Sequence, residues 1–228
     1  MTGGLVQGSI GFGFALIAAP VLAVVRPAAL PTTLILLGAP LSVVVARRER
    51  ASVDFAGLGP LLGGRVVGSL AGAVVLVAVP GRFLSVLFGG LILVAVILSA
   101  VRPAVRPGRG WRFVAGVASG VMATAAAVGG PALALVYQDR AGSVVRSTLA
   151  VFFLFGLTIS LAALAVAGQI TGAQVALAVW LLPALALGLA ASRAATRRLD
   201  GRSLRPAVLG FSAISAIVAI ANGIAGDR

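Results

Sequence analysis

The sequence predicts an all-α polytopic membrane protein, and three observations carry that prediction. Hydrophobic residues fill 60% of the 228 positions, and charged residues only 10%. A soluble domain of this size must cover its surface with polar groups and cannot hide so much apolar area. The apolar residues fall in about eight long blocks, most near the ~20 residues with which a helix crosses ~30 Å of hydrocarbon. The blocks are continuous rather than alternating with period two, which argues against a membrane barrel. One transmembrane domain, 1–228, accounts for the chain.

Each block has its own logic. The first, about 3–25, is interrupted by Gly11-Phe12-Gly13 and by Pro20. The second, 27–46, carries Pro27 and Pro31 in its first turn, where a missing N–H costs little. A turn at Pro80-Gly81 separates the third block, 58–79, from the fourth, 83–101. Gly64, Gly68 and Gly72 place a stripe of small residues on one face of the third, so another helix can approach closely. The fifth, 113–138, has a breaking point at Gly129-Gly130-Pro131. The sixth to eighth run over about 147–167, 173–192 and 207–225.

The halves resemble each other. Pro20-Val21-Leu22-Ala23-Val24-Val25 and Pro131-Ala132-Leu133-Ala134-Leu135-Val136 share the pattern P-x-L-A-x-V. Thr33-Leu34 then matches Thr148-Leu149. Each half holds four blocks, giving one repeat over about 3–101 and another over about 113–225.

The net charge is +13, from 18 Arg, no Lys and five acidic residues. In a soluble chain that balance would point to nucleic acid. Here the Arg residues sit in short loops between blocks, where they set orientation, and no nucleic-acid partner is expected. If every block crossed once, the two sides would carry nine and eight Arg, with no bias. If the fifth block instead enters and leaves on one side, that side collects fourteen. The other side then keeps Arg26, Arg82 and Arg228, and Arg65 remains within a helix. The fifth block is therefore read as a broken, re-entrant hairpin. The repeat extends the same reading to the first block, for which full crossing stays open.

Broken helices are the main functional signal. An interruption frees backbone groups that hydrocarbon cannot satisfy. The N-terminal end of a half-helix carries partial positive charge and can hold an anion. One such break would be read as a kink; two matched breaks in a repeat point to a transporter's binding site. Side chains add candidates. Arg65 lies inside the third block, and it is either a functional intramembrane charge or a snorkelling anchor. Arg146, beside Ser147 and Thr148, is either an anchor or an attractor at the cytoplasmic mouth. Gln7, Thr33, Ser119, Thr124 and Thr148 offer hydroxyl or amide donors, although membrane Ser and Thr often bond their own backbone. The candidate substrate-binding set is Gly11, Phe12, Gly13, Pro20, Thr33, Arg65, Gly129, Gly130, Pro131, Arg146 and Thr148.

Absences narrow the chemistry. The chain has no His and no Cys, and Glu49, Asp54, Asp139, Asp200 and Asp227 all fall between blocks. This removes the paired Asp or Ser-His sets of intramembrane proteases, and any buried carboxylate relay. No P-loop is present. No cofactor, metal, disulfide or enzymatic activity is expected. Met1 leads straight into an apolar block, so no cleavable signal is expected. Richness in Ala, Val, Gly and Arg fits a GC-rich bacterial genome.

Gly8-x2-Gly11-x-Gly13-x6-Pro20 resembles the glycine-rich opening of the TauE/SafE sulfite exporter family, also called toluene-sulfonate uptake permeases. The resemblance continues through Arg47-Arg48-x4-Val53-Asp54, Gly64-x3-Gly68-x3-Gly72, Gly116-x3-Gly120 and Val128-Gly129-Gly130-Pro131. It implies a multi-pass bacterial permease of the inner membrane for sulfite, sulfonates or related sulfur-containing anions. The expected partners are the bilayer and a small anionic substrate. A carrier for another small metabolite, or a non-transporting membrane subunit, stays open, as do direction and oligomeric state.

Overall fold

A computed structural model describes residues 14–48, 50–100, 108–137, 140–195 and 201–225, and these are helical apart from short connections. The helices are α1 (Phe14–Val25), α2 (Thr32–Arg48), α3 (Phe55–Ala78), α4 (Leu84–Ala100), α5 (Arg109–Ala126), α6 (Gly130–Val136), α7 (Gly142–Val166), α8 (Gly172–Ala195) and α9 (Gly201–Ala225). Among the described residues three stretches are long and apolar enough to cross a membrane: Phe55–Ala78, Gly142–Val166 and Gly172–Ala191. Several helices start earlier than the apolar blocks. Asp54 accepts a hydrogen bond from the Gly57 N–H and starts α3 three residues ahead of Leu58. Pro27 opens a separate 3-10 turn, Pro27–Ala29, and α2 begins only after Pro31. Pro20 lies inside α1, so it does not break the first segment. Gly11, Phe12 and Gly13 lie outside the described residues.

Hydrogen bonds and ion pairs fix the directions of the helices. Asp54 lies 3.8 Å from Arg112, in the first turns of α5, and 3.7 Å from Arg140, just ahead of α7. The Asp54 N–H donates to Thr148 Oγ1 of α7 at 2.9 Å. The starts of α3, α5 and α7 therefore share one end, here the Arg-rich end. At the opposite end Thr32 Oγ1 donates to the Gln169 carbonyl, and Thr33 Oγ1 to the Gln174 carbonyl. There the start of α2 meets the start of α8.

The fifth block is interrupted and doubles back. Ala127 closes α5 in the left-handed region, at φ 61. Its N–H bonds to the Ala123 carbonyl, and the next N–H to that of Met122. Ser119 Oγ then donates to the Gly129 carbonyl at 2.8 Å, which sets Gly129 level with the middle of α5. Seven helical residues cover ~10 Å. The seven residues of α6 thus return over the length between Ser119 and Arg112. Tyr137, just past α6, ends with its ring 5.9 Å from the Arg112 guanidinium carbon. Both ends of the segment 109–137 lie at the Arg-rich end.

The glycine stripe of α3 packs on α5. A Cβ at Gly64 or Gly68 would run into the backbone of Phe113 or Val117, and one at Gly120 into Gly68 itself at 2.7 Å. Only bare Cα atoms allow this approach. Among the described residues the exterior carries large apolar side chains, while several polar side chains are buried within a largely apolar core. Val67, Leu70, Val74 and Trp180 are exposed, whereas Arg65, Ser119, Thr124 and Ser160 are buried. That inverts the soluble pattern and suits a surface facing lipid.

Candidate functional site

Arg65 anchors the site. It sits ten residues after Phe55, ~15 Å along α3 at 1.5 Å per residue, and only 2% of its surface is exposed. It turns inward rather than reaching for the helix end. One face of α7 receives it, with Phe152, Gly156 and Ser160 spaced four apart. The guanidinium carbon lies 5.7 Å from the centre of the Phe152 ring, and Nη2 donates to Ser160 Oγ at 2.8 Å. Gly156 leaves the room between them: a Cβ there would lie 2.5 Å from Arg65 Nε. Ser160 is tied in turn to Thr124 of α5 at 2.7 Å.

The other side of Arg65 holds the broken helix. Nη1 donates to the Ser119 carbonyl at 2.9 Å, and Ser119 Oγ donates to the Gly129 carbonyl. Arg65 is therefore two hydrogen bonds from the interruption. No carboxylate among the described residues pairs with it, and its Nε has no hydrogen-bond partner. A buried cation without a counter-charge is costly. The two serines and the Phe152 ring offset part of that cost.

Arg65 borders a cavity of about 70 Å³. Gly129, Gly130 and Pro131 line it from the break, and Phe14, Ala15 and Leu16 from the first described turn of α1. Leu34, Leu41 and Leu157 make the rest of the wall largely apolar. The first described turn of α1, the break at Gly129–Pro131 and one buried cation thus meet at one cavity.

The family model Sulfite exporter TauE/SafE matches residues 1–219. The chain belongs to the TauE/SafE family. Neither a curated relative nor a solved structure matches it. Membership of this transporter family and the apolar helices make it a multi-pass membrane protein.

Within this TauE/SafE member, the sequence-predicted residues separate into two groups. Arg65, Gly129, Gly130 and Pro131 meet at the cavity. Pro20, Thr33, Arg146 and Thr148 do not line it. Pro20 is buried within α1, and Thr33 and Thr148 belong to the contacts at the two ends. Arg146 lies in the first turns of α7, partly buried. Gly129 itself faces α5, where an added Cβ would sit 2.6 Å from Ala123 Cβ and 2.7 Å from the Ser119 carbonyl. Its bare Cα therefore serves the hairpin packing. The sequence reading missed the Phe152, Gly156 and Ser160 track. Its i, i+4, i+8 spacing was the available signal, hidden by the uniformly apolar helix around it.

Proposed function

We propose that this chain is a secondary carrier or facilitator for small anions, with sulfite or a small organosulfonate as cargo. The anion occupies the cavity beside Arg65, between the first half-helix and the break at Gly129, Gly130 and Pro131. The observation that carries this reading is Arg65: a buried guanidinium with Nε unpaired, no carboxylate partner among the described residues, and a void beside it. A bound anion supplies the missing counter-charge, and such intramembrane charges mark ion pathways. The seven residues of α6 make a short dipole, so the guanidinium provides most of the positive potential. Volume supports a compact ion. A single water needs only ~10–15 Å³ of such a cavity, so about 70 Å³ takes several water-sized groups. An oxyanion of four or five heavy atoms is near that scale, whereas an aromatic sulfonate requires the site to open.

An inverted duplication belongs to the same proposal. Both copies of P-x-L-A-x-V end their helix at the final Val, Val25 in α1 and Val136 in α6. The matched Thr33 and Thr148 make equivalent contacts at opposite ends, Thr33 with the start of α8 and Thr148 with the start of α3. Opposite repeats around a central site suit alternating access. By the positive-inside rule the Arg-rich end faces the cytoplasm of a bacterial inner membrane. Counterflow of labelled sulfite in proteoliposomes tests the reading. Exchange of sulfite, competed by methanesulfonate and indifferent to neutral solutes, is expected. Exchange of a neutral metabolite or a cation instead, with sulfite inert, contradicts it.

A further inference from the structure

The central cavity has a second polar side chain in its wall. Among the described residues that line it, only Arg65 and Ser42 have polar side chains. The two approach from opposite directions. Ser42 is ten residues into α2, counted from Thr32, and Arg65 is ten residues into α3, counted from Phe55. Those helices start at opposite ends, so each residue sits ~15 Å in, near the middle of the bundle. α2 and α7 run antiparallel, and a Cβ on Gly38 would touch Leu157 Cδ2 at 3.5 Å. One turn nearer the Arg-rich end on each helix stand Ser42 and Phe153, which both line the cavity. Phe152, beside Phe153, carries the Arg65 guanidinium on its ring.

The Ser42 hydroxyl is spare. Hydroxyls in membrane helices commonly bond a carbonyl of the preceding turn. Thr158, on the exposed side of α7, does so, donating to the Leu154 carbonyl at 3.1 Å. Ser119, Thr124 and Ser160 are tied into the network around Arg65. Ser42 is only 2% exposed, yet its hydroxyl bonds no described residue. Ser69, one turn past Arg65, is also buried and unpartnered, but it does not line the cavity.

Charge limits what this pair can hold. Arg65 is the one charged side chain among the described residues of the wall. The stretch ahead of Phe14 contains no charged side chain either. A monovalent anion neutralises a single guanidinium, whereas a divalent one leaves a bare negative charge in a water-poor interior. A guanidinium only donates hydrogen bonds, and a hydroxyl both donates and accepts. An oxyanion presents separate oxygens to the two groups, and a protonated one can also give its O–H to Ser42.

We propose that Ser42 is the second contact of the bound ion and that the cavity selects monovalent oxyanions. Arg65 holds the charge from α3, Ser42 holds another oxygen from α2, and the ion bridges the two walls. Of the two forms of sulfite near neutral pH, hydrogensulfite fits and the dianion does not. Sulfonates fit and sulfate does not. The proposal rests on the reading of this chain as an anion carrier, and it names the ion class and a residue that selects it.

Binding of radiolabelled methanesulfonate to the purified chain in lipid nanodiscs tests it. Ser42→Ala is expected to weaken binding about tenfold, ~1.4 kcal/mol. Its Tm is expected not to fall, because loss of an unpartnered hydroxyl costs the fold little. Ser42→Thr keeps the hydroxyl and is expected to stay within about threefold of the native affinity. Ser69→Ala removes a buried hydroxyl away from the cavity and is expected to bind as the native chain does. Sulfate is expected to compete at least about a hundredfold less well than unlabelled methanesulfonate. Arg65→Gln, expected to abolish binding, separates this proposal from the carrier reading. If it does so while Ser42→Ala binds fully, or while sulfate competes as well as methanesulfonate, only this proposal falls. Equal losses in Ser42→Ala and Ser69→Ala, or no rescue by Ser42→Thr, overturn it too. Absence of binding to the native chain overturns both readings.

Discussion

A guanidinium in the interior of a lipid-facing bundle is expensive, and Arg65 shows how a chain lowers that cost. Phe152, Gly156 and Ser160 form a track on α7, and Ser119 meets the other edge. Gly156→Ala should push the guanidinium off this track, because the new Cβ would sit 2.5 Å from Nε and 2.7 Å from the guanidinium carbon. The expected outcome is about a tenfold rise in KM for the anion, ~1.4 kcal/mol of lost affinity, read from proteoliposome uptake. Ala127 tests the hairpin turn. A left-handed conformation costs an L-residue ~1–2 kcal/mol, and Gly regains part of that gap through its greater freedom in the unfolded chain, ~0.4–1 kcal/mol. Ala127→Gly should therefore stabilise the protein by about 0.5–1 kcal/mol, seen as a higher Tm in detergent. At this scale the sequence exposed Arg65 as an anomaly of charge in an apolar block. It did not expose the partners, because Ser, Gly and Phe are ordinary residues in any membrane helix. Asp54, Arg112, Arg140 and Tyr137 were equally hidden, since they lie far apart in the chain and meet only through the hairpin.

At the scale of elements the hairpin 109–137 and the glycine interface of α3 with α5 decide the architecture. The break was legible, because Gly129-Gly130-Pro131 interrupts the block and the Arg count becomes one-sided only when the segment returns. Pro20 misled by the same logic: it lies within α1 rather than at its end. Helix starts were missed by several residues in α5, α7 and α9, where polar first turns extend past the apolar core of each block, and in α3, where Asp54 caps the helix. Single cysteines replacing Arg106 and Asp139 should both react with an impermeant thiol reagent from the same, cytoplasmic side. Reaction from opposite sides would mean that the fifth block crosses fully. Gly68→Ala should cost about 1–3 kcal/mol, because a methyl group there has only the Val117 backbone to displace. A lower Tm with unchanged topology is the expected readout.

The whole molecule was legible as a class and less so as a mechanism. Composition alone required an apolar exterior, and the exposed Val, Leu and Trp side chains meet that requirement. What composition does not contain is geometry, such as the meeting of α1, α6 and Arg65 at one void. That meeting has an energetic consequence. Among the described residues the only carboxylate, Asp54, lies at the bundle end, so no described carboxylate lines the cavity. An anion leaving a cell with a negative interior gains ~2.3 kcal/mol per charge for each 100 mV. At ~1.4 kcal/mol per tenfold ratio this is roughly a fortyfold concentration ratio. On the proposed anion-carrier reading, potential alone suffices to drive export, with Arg65 as a fixed positive charge. The most direct measurement is flux of labelled sulfite in proteoliposomes under a potassium–valinomycin potential at equal pH, for the native chain and for Arg65→Gln. The account predicts flux that reverses with the sign of the potential and falls at least about tenfold in Arg65→Gln. Flux that follows only an imposed proton or sodium gradient, or that Arg65→Gln carries in full, would contradict it.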